Sequence, residues 1–213
     1  MKLLNLRLLA ALALLGPTGP GWAQDAPAPE GRANPSLPSP SLPNPSLPKT
    51  PAERDAVLSE LYTQLAASED ELAAKSVAES IERVWVHSGS PTVDLLLGRA
   101  LQAESEKDYV RALKFLDHVV EQAPDFTEGF SQRAYVYFQL NDVRQALGDL
   151  RRTLALDPNH FKALDGLAQV LRDIGEKRAA LQVLRRLADV HPYWPGTEQA
   201  IEELSREVEG QGI

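Results

Sequence analysis

Residues 129–158 read GFSQRAYVYFQLNDVRQALGDLRRTLALDP and end on the proline whose spacing decides the fold. The same proline stands 34 residues earlier as Pro124 and 34 residues later as Pro192. Stepping by that interval, Ala100, Ala134 and Ala168 fall into register, as do Ala112, Ala146 and Ala180, and as do Leu116, Leu150 and Leu184. A fixed period of this length marks a repeated supersecondary unit.

The residue types say what the unit is. Two antiparallel helices approach closely only where a small side chain permits it, so the alanines mark the crossing points. Leu96, Phe130 and Leu164 fill the space between units, and each proline ends a second helix before the next unit starts. Each turn between the helices is polar: Glu106, Lys107 and Asp108, then Asn141 and Asp142, then Gly175, Glu176 and Lys177. This pattern resembles the tetratricopeptide repeat family, whose helix-turn-helix unit carries small residues and a closing proline at these spacings. At the family's frequent Trp position the chain has Leu96, Phe130 and Leu164, and at its Gly or Ala position only Ala. The resemblance implies an all-α solenoid of helical hairpins, with three clear units at about 93–126, 127–160 and 161–194.

The register continues more weakly upstream. Ala66 and Ala78 lie one period before Ala100 and Ala112, while Pro91 is one residue late. Residues 51–91 therefore read as a divergent N-terminal helical hairpin that caps the stack. Thr50, Pro51 and Glu53 form a capping box at its start, and its second helix is expected to follow Ser68, with Glu71 three residues on. VWVHSGSPT then turns the chain into the next unit, with Trp85 expected in the core. After Pro195, Ala200, Ile201, Leu204 and Val208 share one face with acids on the other, so residues 195–213 read as a C-terminal capping helix and tail.

Ahead of the helices, Lys2 and Arg7 precede the apolar run Leu8 to Leu15 and the small-residue site Gly21, Trp22, Ala23, which predicts a secretory signal peptide over residues 1–23. The run is short of the roughly 20 residues that span a bilayer, so no stable membrane insertion is expected after cleavage. Residues 24–50 are Pro-rich and repeat one phrase as Asn34 to Pro38, Ser39 to Pro43 and Asn44 to Pro48. This composition favours a disordered or extended linker, with a docking motif for an aromatic groove as the other reading. The chain has no cysteine, so folding rests on packing without disulfides. Its net charge of -8, or -10 once Lys2 and Arg7 are removed, argues against nucleic acid as a partner.

Little suggests catalysis. His87, His118, His160 and His191 are never three or four apart, so no metal site and no cofactor is expected, and exposed or capping roles suit them better. His87, Ser88 and Asp94 could suggest a serine nucleophile, but no nucleophile elbow accompanies them, and Ser90 before Pro91 reads as a helix cap. Glu202 and Glu203 lie on a solvent face, and no glycine-rich phosphate loop occurs.

In the resembled family the first helices line a concave groove that holds an extended peptide or a helix. Carried across, that register places Asp94, Leu97, Leu101 and Glu104 there from the first clear unit. The second would add Glu128, Ser131, Tyr135, Phe138 and Gln139, and the third Lys162, Asp165, Gln169 and Arg172. Leucines at two of the places where some members clamp a carboxylate argue against that clamp. In the middle helix Phe130, Ala134 and Tyr137 form the expected core stripe, which leaves Tyr135 and Phe138 as a second apolar face. The leading expectation is a non-enzymatic adaptor that binds a protein or peptide partner, periplasmic or secreted in a Gram-negative bacterium. The alternatives are an envelope hydrolase subunit and a purely structural oligomeric component.

Overall fold

The computed structural model describes residue 48 and residues 50–210. The signal-peptide and linker expectations and the last three residues of the tail fall outside them, apart from Pro48 and Thr50. The described residues are all-helical. In order they form α1 (Pro51–Ala66), α2 (Glu71–Trp85), α3 (Pro91–Ser105), α4 (Tyr109–Gln122), α5 (Thr127–Gln139), α6 (Val143–Leu156), α7 (Phe161–Asp173), α8 (Lys177–Val190) and α9 (Thr197–Glu209).

Local chemistry sets these boundaries. Thr50 is extended and its Oγ1 accepts the Glu53 amide at 3.2 Å, with Pro51 opening the first turn. The second helix starts later than expected. Asp70, not Ser68, is its N-cap, accepting from the Ala73 amide at 2.8 Å, while the Ser68 hydroxyl donates back to the Gln64 carbonyl. Ser90 holds the cap position of α3 but makes no side-chain capping bond.

The turns inside the three units are copies of one another. Lys107, Asn141 and Gly175 all have positive φ, at 59°, 60° and 84°. The next residue closes each helix: the amides of Asp108, Asp142 and Glu176 donate to the carbonyls of Ala103, Tyr137 and Leu171 at 2.9, 2.8 and 2.8 Å. This is the Schellman arrangement, with a left-handed residue one past the cap. Asp108 and Asp142 then cap the second helices through the amides of Arg111 and Gln145.

The repeat alanines are buried at every crossing: Ala100, Ala112, Ala134, Ala146, Ala168 and Ala180 are each at most 1% exposed. Leu116, Leu150 and Leu184 fill the space beside them. In α5 the core stripe differs from the expected one. Ala134 is buried, but Val136 is the fully buried large residue, while Phe130 and Tyr137 are half-buried. Their rings instead flank Arg133, which pairs with Asp149 at 2.7 Å and with Asp117 at 2.9 Å.

Helices α1 and α2 form an N-terminal hairpin, and the residues it buries against are those of α7 and α8. Leu58, Tyr62, Leu65, Ile81 and Trp85 share one core with Phe161, Leu184, Leu187 and Val190. It is fastened along the loops that join the units. Arg54 lies over the Phe126 ring, and Tyr62 Oη donates to Asp157 Oδ2 at 2.6 Å and accepts Trp85 Nε1 at 3.2 Å. Trp85 also stacks on His160, with centroids 3.8 Å apart, and Tyr193 Oη donates to the Glu69 carbonyl at 2.6 Å. Trp85 is thus core, as expected. At the far end Leu204 of α9 joins the same core.

Candidate functional site

Helices α5 and α7 are in direct contact, and both open onto a furrow. Its deeper part, a cavity of about 200 Å³, is lined from α5 by Ala134, Tyr135, Phe138 and Gln139 and from α7 by Lys162, Asp165 and Gln169. A second cavity of about 270 Å³ continues it toward α9, sharing Asp165 and Gln169 and adding Arg172, Pro195 and Thr197. The structure therefore brings together Tyr135, Phe138, Gln139, Lys162, Asp165, Gln169 and Arg172. Ser131 and Leu101 are half-buried and line neither cavity.

Two expected groove residues are corrected. Leu97 is 1% exposed, because Val93, Leu97 and Ala100 recur at helical spacing on the face of α3 that packs on α4. Glu128 is 3% exposed and is used inside the fold, accepting from Gln132 and meeting His160 Nε2 at 3.1 Å. His160 in turn accepts the Ala163 amide through Nδ1, which makes it the buried N-cap of α7. His191 is also buried, as the C-cap residue of α8.

Tyr135 is the large apolar residue most open to the furrow, at 47% exposure, and burial, then Tyr109, raises its hydroxyl above the usual range. Phe138 is half-buried against Ala134, Leu150 and Val170, so one side of its ring belongs to the core and the other to the cavity. Lys162 is tied to Glu82 of α2 at 2.8 Å, a contact that no local pattern announces. Burial raises the Asp165 carboxyl above the usual range, opposed by hydrogen bonds from Trp194 and Gln169 and by Arg172. Burial, and after it the charge of Glu128, pushes Glu104 up to about 7. A third cavity, of about 170 Å³, lies between the N-terminal hairpin and the unit-joining loops, bounded by Tyr62, Trp85, Phe126 and Asp157.

The Ser88 cluster has the wrong order for nucleophilic catalysis. Ser88 Oγ donates to Asp94 Oδ1 at 2.6 Å, and His87 Nδ1 meets Asp94 Oδ2 at 3.6 Å. The carboxylate stands between the two, so the imidazole is not placed to take the hydroxyl proton. The Ser88 amide also donates to Asp94, at 2.7 Å, which makes the cluster a turn closing onto the start of α3. Among the described residues no group of three His, Cys, Asp or Glu side chains could hold a metal, and no helix is long and apolar enough to cross a membrane.

No protein-family model matches the chain. It is 32% identical over 153 residues to a TPR repeat-containing protein of Rhizobium etli, a match that covers 72% of this chain and 75% of that one. Among solved structures it is similar to the first TPR of Spaghetti (RPAP3) bound to an HSP90 peptide, with a TM-score of 0.54 and 17% identity, covering 56% of this chain and 95% of that one. It is also similar to the MamA protein, with a TM-score of 0.51 and 17% identity over 76% of this chain and 84% of that one.

Proposed function

Since the chain belongs to the tetratricopeptide repeat proteins, we propose that it is a non-enzymatic adaptor whose furrow between α5 and α7 holds a segment of a partner protein. The observation that carries this reading is the placement of Tyr135. A half-exposed aromatic ring stands beside a cavity whose floor is the apolar side of Phe138 and whose rim is polar. Aromatic anchors beside preformed pockets with a polar rim are where binding energy concentrates. The HSP90 peptide named for the RPAP3 domain supports the same use of this fold.

The setting we propose is the cell envelope, with the chain exported by its leader and the helical domain carried on the Pro-rich segment. Support comes from Lys2 and Arg7 ahead of the apolar run and from the small-residue site at Ala23. Expression with a C-terminal tag, fractionation and N-terminal sequencing of the product test this. Cleavage after Ala23 and release with the envelope fraction are expected, and an intact, cytoplasmic product would refute it.

For the furrow, the test is partner capture by in-cell crosslinking with Tyr135→Ala and with Tyr135→Ala/Phe138→Ala. The single change is expected to reduce capture and the double change to abolish it, with helical content retained. Undiminished capture by a folded double variant would place binding elsewhere.

A further inference from the structure

We infer that the furrow recognises its partner through a basic side chain, arginine or lysine, received between Glu104 and Tyr135; this rests on the furrow being the binding surface. Glu104 stands in the last turn of α3, one period before Phe138 and two before Arg172, so the repeat register sets it in line with these two furrow residues, although it lines neither cavity itself. Its Oε1 is buried and has no hydrogen-bond partner. A carboxylate oxygen kept from water without a donor is costly, and a donor that arrives from outside removes the cost.

The surroundings decide what donor would be accepted. From α5, Glu128 adds negative charge against Glu104 and Tyr135 lies within electrostatic range of it; from α4, Tyr109 acts on the Tyr135 hydroxyl. Among the described residues no lysine or arginine pairs with Glu104. Lys162 is already bound to Glu82, and Arg172 acts on Asp165. An exposed aromatic ring within electrostatic range of an unpaired carboxylate suits a guanidinium or ammonium group, which gains a charge-assisted hydrogen bond from one and a cation–π contact from the other. An acidic segment would meet like charge here. Because the free carboxyl is held at about 7, an arriving cation displaces its proton, so binding tightens as pH rises through that value.

The test uses the full chain and a short fluorescein-labelled peptide of Leu-Ala-Arg repeats, with a counterpart carrying Glu for Arg, read by fluorescence anisotropy. The basic peptide is expected to bind and the acidic one not to. Glu104→Gln should weaken binding about tenfold and flatten its pH dependence. Glu202→Gln, which removes the same charge from an exposed position on α9, should leave binding unchanged and so accounts for general attraction to an acidic protein. Equal loss in the two variants, no loss in Glu104→Gln, or a wild-type protein that binds neither peptide overturns the inference. Binding of the basic peptide that survives Tyr135→Ala/Phe138→Ala would instead remove the furrow reading itself.

Discussion

Lys107, Asn141 and Gly175 occupy one geometric position three times, and the chain meets its demand with residues of unequal fitness. Positive φ crowds a Cβ, and lysine lacks the short polar side chain that lets asparagine tolerate it. Lys107→Gly is therefore expected to stabilise the domain by about 0.5 to 1 kcal/mol, with a smaller gain for Asn141→Gly, while Gly175→Ala lowers stability by about 1 kcal/mol. Thermal melts of the three variants check the order. Glu104 gives a second expectation at this scale. Its folded-state carboxyl, at about 7, lies above its ordinary value, so between those two values the folded protein holds more proton than the unfolded chain. Its contribution therefore becomes destabilising as pH rises from about 5 to about 8. Glu104→Gln should make the melting temperature less sensitive to pH over that range; an unchanged slope would show that the carboxyl titrates normally.

Helix pairs are held together by what is missing from the alanines. Ala134 and Ala168 are each 1% exposed at crossings, so leucine at either should overpack the site and cost about 1 to 3 kcal/mol, measured by denaturant unfolding. The same positions explain why so much of the fold was legible. A crossing point recurs every 34 residues because the unit recurs, and small residues, turn residues and closing prolines are local signals that repeat with it. Tyr135, Phe138, Lys162 and Asp165, which line the furrow, were named by carrying the resembled family's concave face through that register. Leu97 and Glu128 were misplaced because a register names a face only to within about one residue, or roughly 100° of helix. At that resolution a groove residue and a core residue are neighbours. Phe130 and Tyr137 read as core for a related reason, since nothing in the α5 pattern shows that two aromatic rings will flank Arg133.

At the scale of the molecule, no periodic signal could have revealed where the N-terminal hairpin docks, because its partners lie far along the chain. Tyr62 meets Asp157 across 95 residues, and Tyr193 meets Glu69 across 124. Tyr62→Phe deletes one hydroxyl and leaves Asp157 and Trp85 Nε1 without their shared partner, at a cost of about 1 to 3 kcal/mol. The loss should be read alike by a probe on α1 and a probe on α8 if the two ends unfold as one; a hairpin that melts first would show separate transitions. That docking has a consequence for how the chain comes into being. Stacked repeats ordinarily fold by nearest-neighbour contacts, and each unit can settle as soon as the next appears. Among the described helices the hairpin is the first to leave the ribosome, yet its seat is built from Phe161, Leu184 and Val190 of α7 and α8. It must wait, its tryptophan uncovered, until α7 and α8 have been made, and a truncated product released before then would carry that surface into solution with nothing to cover it.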